Sequence, residues 1–142
     1  MYANIIKSVS GPYVDLFQVD VIPFILNYSN EKSLVDLVEN SLIIKLAQSV
    51  KLIYSKSIET QLYSIRLDCI TILVNFAVRL KYVRAHILGD DLLQLIERAG
   101  NESQVLNAKY VALISIISCE ENCCIKLIDS GIQKLFVSLQ GS

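Results

Sequence analysis

Tryptophan is absent from this chain, histidine occurs once, proline twice and glycine five times in 142 residues. A single histidine, His86, rules out any multi-histidine metal site. It lies in "VRAHILG", just before Gly89, where imidazole suits a capping or surface role at a helix C-terminus. Neither proline nor glycine falls between Phe24 and Leu88, so long uninterrupted elements are allowed there. An excess of one charge is lacking too. Thirteen basic and 14 acidic residues give a net charge of −1, which offers no reason to expect nucleic acid or an anionic membrane as partner. No uncharged apolar run approaches the ~18–20 residues of a membrane span. The start, "MYANIIKSVSGPYVDLF", lacks a basic segment followed by an apolar one. Tyr2 stands where myristoylation requires glycine, and the tail "LQGS" is no prenylation signal. A cytoplasmic protein without membrane insertion is the expectation.

Reaction motifs are equally scarce. The chain holds no P-loop, no G-x-G-x-x-G, no G-x-S-x-G and no H-E-x-x-H. The carboxylate pairs Asp90–Asp91 and Glu120–Glu121 are sequence neighbours at helix starts, where the helix dipole accounts for them. Cys119 and Cys123 are four apart and invite a zinc reading, but the adjacent Cys124 and the missing histidines spoil a tetrahedral set. Cys69 lies in an apolar run. Reduced thiols are expected, with redox sensing or metal as the lesser alternative. No catalytic residue, cofactor or metal is expected, and the protein reads as a non-enzyme.

What the chain does have is apolar surface: 53% of residues are hydrophobic and only 19% charged. Apolar residues recur at three- and four-residue steps, as in Leu34, Val35, Leu37, Val38, Leu42, Ile43 and Leu46. Runs of this length predict helices rather than strands. Polar clusters punctuate them at 27–33, 54–60, 89–91, 98–103, 119–124 and 129–131. These supply cap and turn residues such as Asn30, Ser57, Asp90 and Asn101, with Asn101 to Gln104 approximating a capping box. The spacing predicts six to nine helices and no sheet. A 40-residue shift brings the pattern into register: Leu92, Leu95 and Ile96 fall on Ile132, Leu135 and Phe136. Leu73 falls on Leu113 and Asn75 on Ser115. Upstream the period is irregular, Ile22 reaching Leu52 by a 30-residue step.

On these segments the chain resembles the armadillo repeat family. "DSGIQKLFVSL" (129–139), "GDDLLQLIERAG" (89–100) and "DVIPFIL" (20–26) resemble its second helix. "ITILVNFA" (70–77) and "KYVALISII" (109–117) resemble its long third helix, whose core reads Ala–Leu–x–Asn–Leu. HEAT repeats share the same physics. The resemblance covers roughly residues 20 to 140 and implies an all-α, right-handed α-solenoid of about three to four repeats. The whole chain, 1–142, is then a single helical-repeat domain. The array stops after a second helix, with "FVSLQGS", so a piece of a larger protein is expected.

The resemblance also implies where such a protein binds. Third helices line a concave groove that receives a peptide or an amphipathic helix. The groove stripe is expected to run through Thr71, Asn75 and Arg79, then Val111, Ser115 and Cys119. Asn75 has two readings: an amide for a peptide backbone, or a partly buried side chain satisfied by neighbouring helix ends. Nuclear-import receptors of that family flank their asparagines with tryptophans, which this chain lacks, so a basic localisation signal is not the expected cargo. The implied function is a scaffold or adaptor that binds another protein. Regulatory binding of a small GTPase or cytoskeletal protein, or homodimerisation through an apolar repeat end, is the alternative. A weak basic group, Arg79, Lys81, Arg84 and His86 with Tyr82 interleaved, suits an acidic partner or a phosphate, or else a solvated helix end.

Overall fold

A computed structural model describes residues 22–31, 39–60, 62–100 and 102–140. Among them are eight α-helices and no strand. They are α1 (Ile22–Ser29), α2 (Asn40–Thr60), α3 (Tyr63–Arg79), α4 (Lys81–Leu88), α5 (Leu92–Ala99), α6 (Gln104–Ile117), α7 (Glu121–Asp129) and α8 (Ile132–Gln140). Pro23 sits in the first turn of α1, where its missing N–H costs nothing. The polar segment 54–60, expected to punctuate, instead continues α2. Tyr54 and Ser57 are buried there, so packing overrides the local turn signal. The expected cap at Asn101 and the run Leu34–Val38 lie outside the described residues. The observed N-cap of α6 is Ser103, whose Oγ accepts from the Leu106 N–H at 3.1 Å.

Helices α3–α4–α5 and α6–α7–α8 form two three-helix units offset by 40 residues, α4 and α7 starting at Lys81 and Glu121, α5 and α8 at Leu92 and Ile132. The offset superposes buried positions as well: Ile70 on Tyr110, Leu73 on Leu113, Ala77 on Ile117, Ile87 on Leu127. Within each unit the fold is set by sharp corners. Leu80 alone, in extended backbone (φ −128°, ψ 100°), separates α3 from α4. Gly89 ends α4 at φ +48°, a region a side chain rarely adopts. A Cβ there would also come within 3.1 Å of Lys51 Nζ.

The units meet in rows. α3 packs against α1 on one flank and α6 on the other, α4 lies between α2 and α7, and α5 between α2 and α8. The single long helix α2 also packs against α3, and so faces all three helices of the next unit. Segment 20–26 was expected in a second-helix position. Its described part, α1, packs along α3 in the row of long helices. With neighbours on both flanks, α3 buries Cys69, Ile70, Ile72, Leu73, Phe76 and Ala77, which accounts for ten consecutive residues, Cys69 to Val78, without a charge.

Candidate functional site

Thr71, Asn75 and Arg79 recur at four-residue steps and share one face of α3. All three are half-buried. Thr71 Oγ1 donates to the Leu67 carbonyl of its own helix at 2.7 Å. The Asn75 amide nitrogen donates to Ser29 Oγ and to Asn30 Oδ1, each at 3.0 Å. The Arg79 guanidinium donates to the carbonyls of Ser29 and Asn30, each at 2.8 Å. Arg79 thus closes the C-terminus of α1, where carbonyls lack partners in their own helix, while Asn75 bonds the side chains of the same two residues. Of the two readings of Asn75, its donors follow the one satisfied by a neighbouring helix end.

One unit on, the stripe is less committed. Val111 is half-buried, while Ser115 and Cys119 are exposed. The Ser115 carbonyl accepts from Ser118 Oγ at 2.7 Å, and Cys119 lies in the turn beyond α6. Because α6 packs along α3, the two half-stripes lie on adjacent helices. The α3 half is tied down by hydrogen bonds and the α6 half is open.

The basic group at the α3–α4 corner divides in the same way. Arg84 is buried; its Nε donates to the Ala77 carbonyl at 2.7 Å, and its Nη1 pairs with Glu120 at 2.9 Å. That carbonyl belongs to the last turn of α3, so Arg84 closes the corner from inside. With Arg79 spent on α1, only Lys81 and His86 remain exposed in this group. A phosphate-binding cluster does not assemble.

Several polar residues that hold the units together carry no motif. Arg66 donates to the Ser57 carbonyl and pairs with Glu102 at 2.6 Å. Lys126 pairs with Asp90 at 2.7 Å, which holds that carboxyl below its usual range. Arg66–Glu102, Arg84–Glu120 and Asp90–Lys126 are all separated by 36 residues. That is the 40-residue period less one helical turn. Opposite charges at this spacing were the available signal. Lys51 reaches Asp91 at 2.6 Å. Beneath these pairs Tyr54 and Tyr110 share a buried hydroxyl–hydroxyl bond of 2.7 Å, rings edge to face at 6.4 Å. Burial pushes the Tyr110 phenol up to about 12 and Tyr54 higher still.

The thiols differ by environment. Cys69 and Cys123 are buried, and burial raises both; Cys119 is exposed and Cys124 half-buried. Among the described residues, no three His, Cys, Asp or Glu side chains converge as a metal site. No described helix is long and apolar enough to cross a membrane. No family model, curated protein or solved structure matches the chain.

Proposed function

We propose that this chain is a non-enzymatic protein–protein interaction module, built as an armadillo-like α-solenoid of about three to four repeats. One observation carries the reading: helix order and burial repeat at 40 residues, and each helix of α3–α4–α5 packs on its counterpart in α6–α7–α8. A three-helix unit cannot bury its own apolar faces, so stacking makes a continuous core and leaves long surfaces for partners. The row α1–α3–α6 supplies the candidate groove. Since Asn75 and Arg79 hold α1, recognition in that groove falls to the α6 side, to Val111, Ser115 and Cys119, with Thr71 beside them. A mildly polar stripe of this kind suits an apolar peptide or amphipathic helix better than a basic one.

The test compares affinity co-purification by the wild-type chain and by Ser115→Arg with Cys119→Arg. Both positions are exposed, so the fold tolerates the change. A protein enriched by wild type and lost by the double variant supports the groove. Equal recovery moves binding off it. If nothing is enriched above an unrelated helical control, the interaction reading itself is overturned.

A further inference from the structure

Ile58 of α2, Arg66 of α3, Arg98 and Ala99 at the end of α5, and Glu102 line one cavity of about 400 Å³. Its volume is that of a ligand pocket, and its walls are mostly polar. Two of the five side chains are guanidiniums. Only 6% of the Arg66 side chain is exposed. Its Nη1 donates to the Ser57 carbonyl and its Nη2 to Glu102 Oε2 at 2.6 Å. Its Nε–H is buried and has no acceptor among the described residues. Arg84 shows that such a pair need not leave a donor over. It too is buried and bonds a carboxylate 36 residues on, yet its Nε reaches the Ala77 carbonyl at 2.7 Å.

A buried N–H without an acceptor is unfavourable, and a guanidinium holds an oxyanion best through two parallel N–H donors. Glu102 meets Arg66 through one oxygen only, and as an exposed residue it can turn into water. The Arg98 side chain is 50% exposed, and its 3.6 Å pairing with the exposed Glu59 is weak. Gln61 and Asn101, which border these segments in sequence and lie outside the described residues, are uncharged and cannot balance Arg98. Another monocarboxylate in the place of Glu102 would gain nothing. A phosphate monoester carries about −1.5 to −2 charge at neutral pH and three free oxygens. Two of them fit the Arg66 donors and the third is left for Arg98, so one ligand neutralises both guanidiniums. At about 30 Å³ per water, the cavity also has room for an alcohol part beside the phosphate.

We propose that this cavity binds a phosphate group, free or as a small monoester, on Arg66 and Arg98, with Glu102 as the internal carboxylate that it displaces. The site does not depend on the interaction-module reading, and none of Thr71, Val111, Ser115 and Cys119 lines it.

The full chain is titrated by calorimetry with glycerol phosphate, inorganic phosphate and acetate, at an ionic strength held constant with potassium chloride. Saturable one-to-one binding of the phosphates is expected, and none of acetate at the same concentrations. Tighter binding of glycerol phosphate assigns the site to a monoester, and equal affinity assigns it to free phosphate. Glu102→Gln removes the competing charge and tightens binding by about fivefold, whereas Arg98→Gln weakens it by about tenfold. Glu97→Gln, also on α5 but outside the cavity walls, changes it by less than about twofold. Arg66→Lys keeps the charge but loses the fork of donors, and weakens binding by about tenfold or more. Circular dichroism checks that each variant folds; Arg98 is exposed, so its variant decides if Arg66→Lys does not fold. Lowering the pH from about 7.5 to about 5.5, through the second phosphate pKa near 6, weakens binding. Absence of saturable phosphate binding overturns the inference, since an acceptor of the chain itself then answers Arg66. Equal binding of acetate, indifference to Arg98→Gln, or no tightening by Glu102→Gln beyond that of Glu97→Gln overturns it too.

Discussion

At the scale of single residues, the Tyr54–Tyr110 pair is the clearest case of chemistry set by burial. Each hydroxyl has the other as its partner at 2.7 Å. Replacing one tyrosine by phenylalanine leaves the remaining hydroxyl buried and unmatched, a loss of about 1–3 kcal/mol. Replacing both removes the orphan, so the double variant should be clearly more stable than the sum of the singles implies, as a thermal double-mutant cycle would measure. Both phenols ionise higher in the folded chain than the ordinary value of 10. The neutral forms therefore stabilise the fold fully below pH 10, and this contribution falls as pH rises from 10 toward 12 and beyond. Phenolate absorbance followed against pH should show two tyrosines titrating last, together with unfolding. The thiols give a parallel test. Cys119 should react with a thiol reagent first and Cys124 more slowly, while Cys69 and Cys123 wait for denaturant.

At the scale of elements, corners and helix ends decide the arrangement. The α3–α4 corner turns on one residue and exposes a carbonyl at Ala77, which Arg84 answers from inside the fold. Arg84→Met keeps the buried stem but orphans both that carbonyl and Glu120; a loss of about 2–4 kcal/mol is expected in urea unfolding. Asn75→Ala with Arg79→Ala removes four donations to Ser29 and Asn30. Hydrogen exchange should then quicken in α1 alone, with α6 to α8 unchanged. These ends also mark what could be read from the chain. Helix content and the 40-residue offset were legible because apolar spacing repeats through residues 92–96 and 132–136. The 54–60 turn signal misled, because the polar residues around Tyr54 and Ser57 sit in a buried helix where tertiary packing outweighs local preference. Arg84 read as part of a basic surface because a sequence shows charge but not which carbonyl a corner leaves bare. Asn75 stood out in the sequence as a polar residue in an apolar run, and its donors point to α1.

At the scale of the molecule, order along the chain becomes order in space, and this predicts how the protein comes apart. α3 packs closely on α1, α2, α4 and α6, whereas α7 and α8 pack chiefly on one another, α4 and α5, with Asn107 of α6 donating to the Leu139 carbonyl of α8. In the stack proposed above, stability is a sum of unit and nearest-neighbour terms. A cavity should therefore act locally at the end and globally in the middle. Leu73→Ala and Leu127→Ala both remove a buried leucine, each at a cost of about 2–5 kcal/mol. Leu73→Ala should lower amide protection across α1, α2, α4 and α6 as well as α3, since each neighbour of α3 loses packing surface. Leu127→Ala should release α7 and α8 while α2 and α3 stay protected. Equal, chain-wide loss of protection in both variants, measured by hydrogen exchange and mass spectrometry, would mean a single cooperative globule and remove the stacking argument. The graded outcome places the weakest cooperativity at the face formed by α6, α7 and α8.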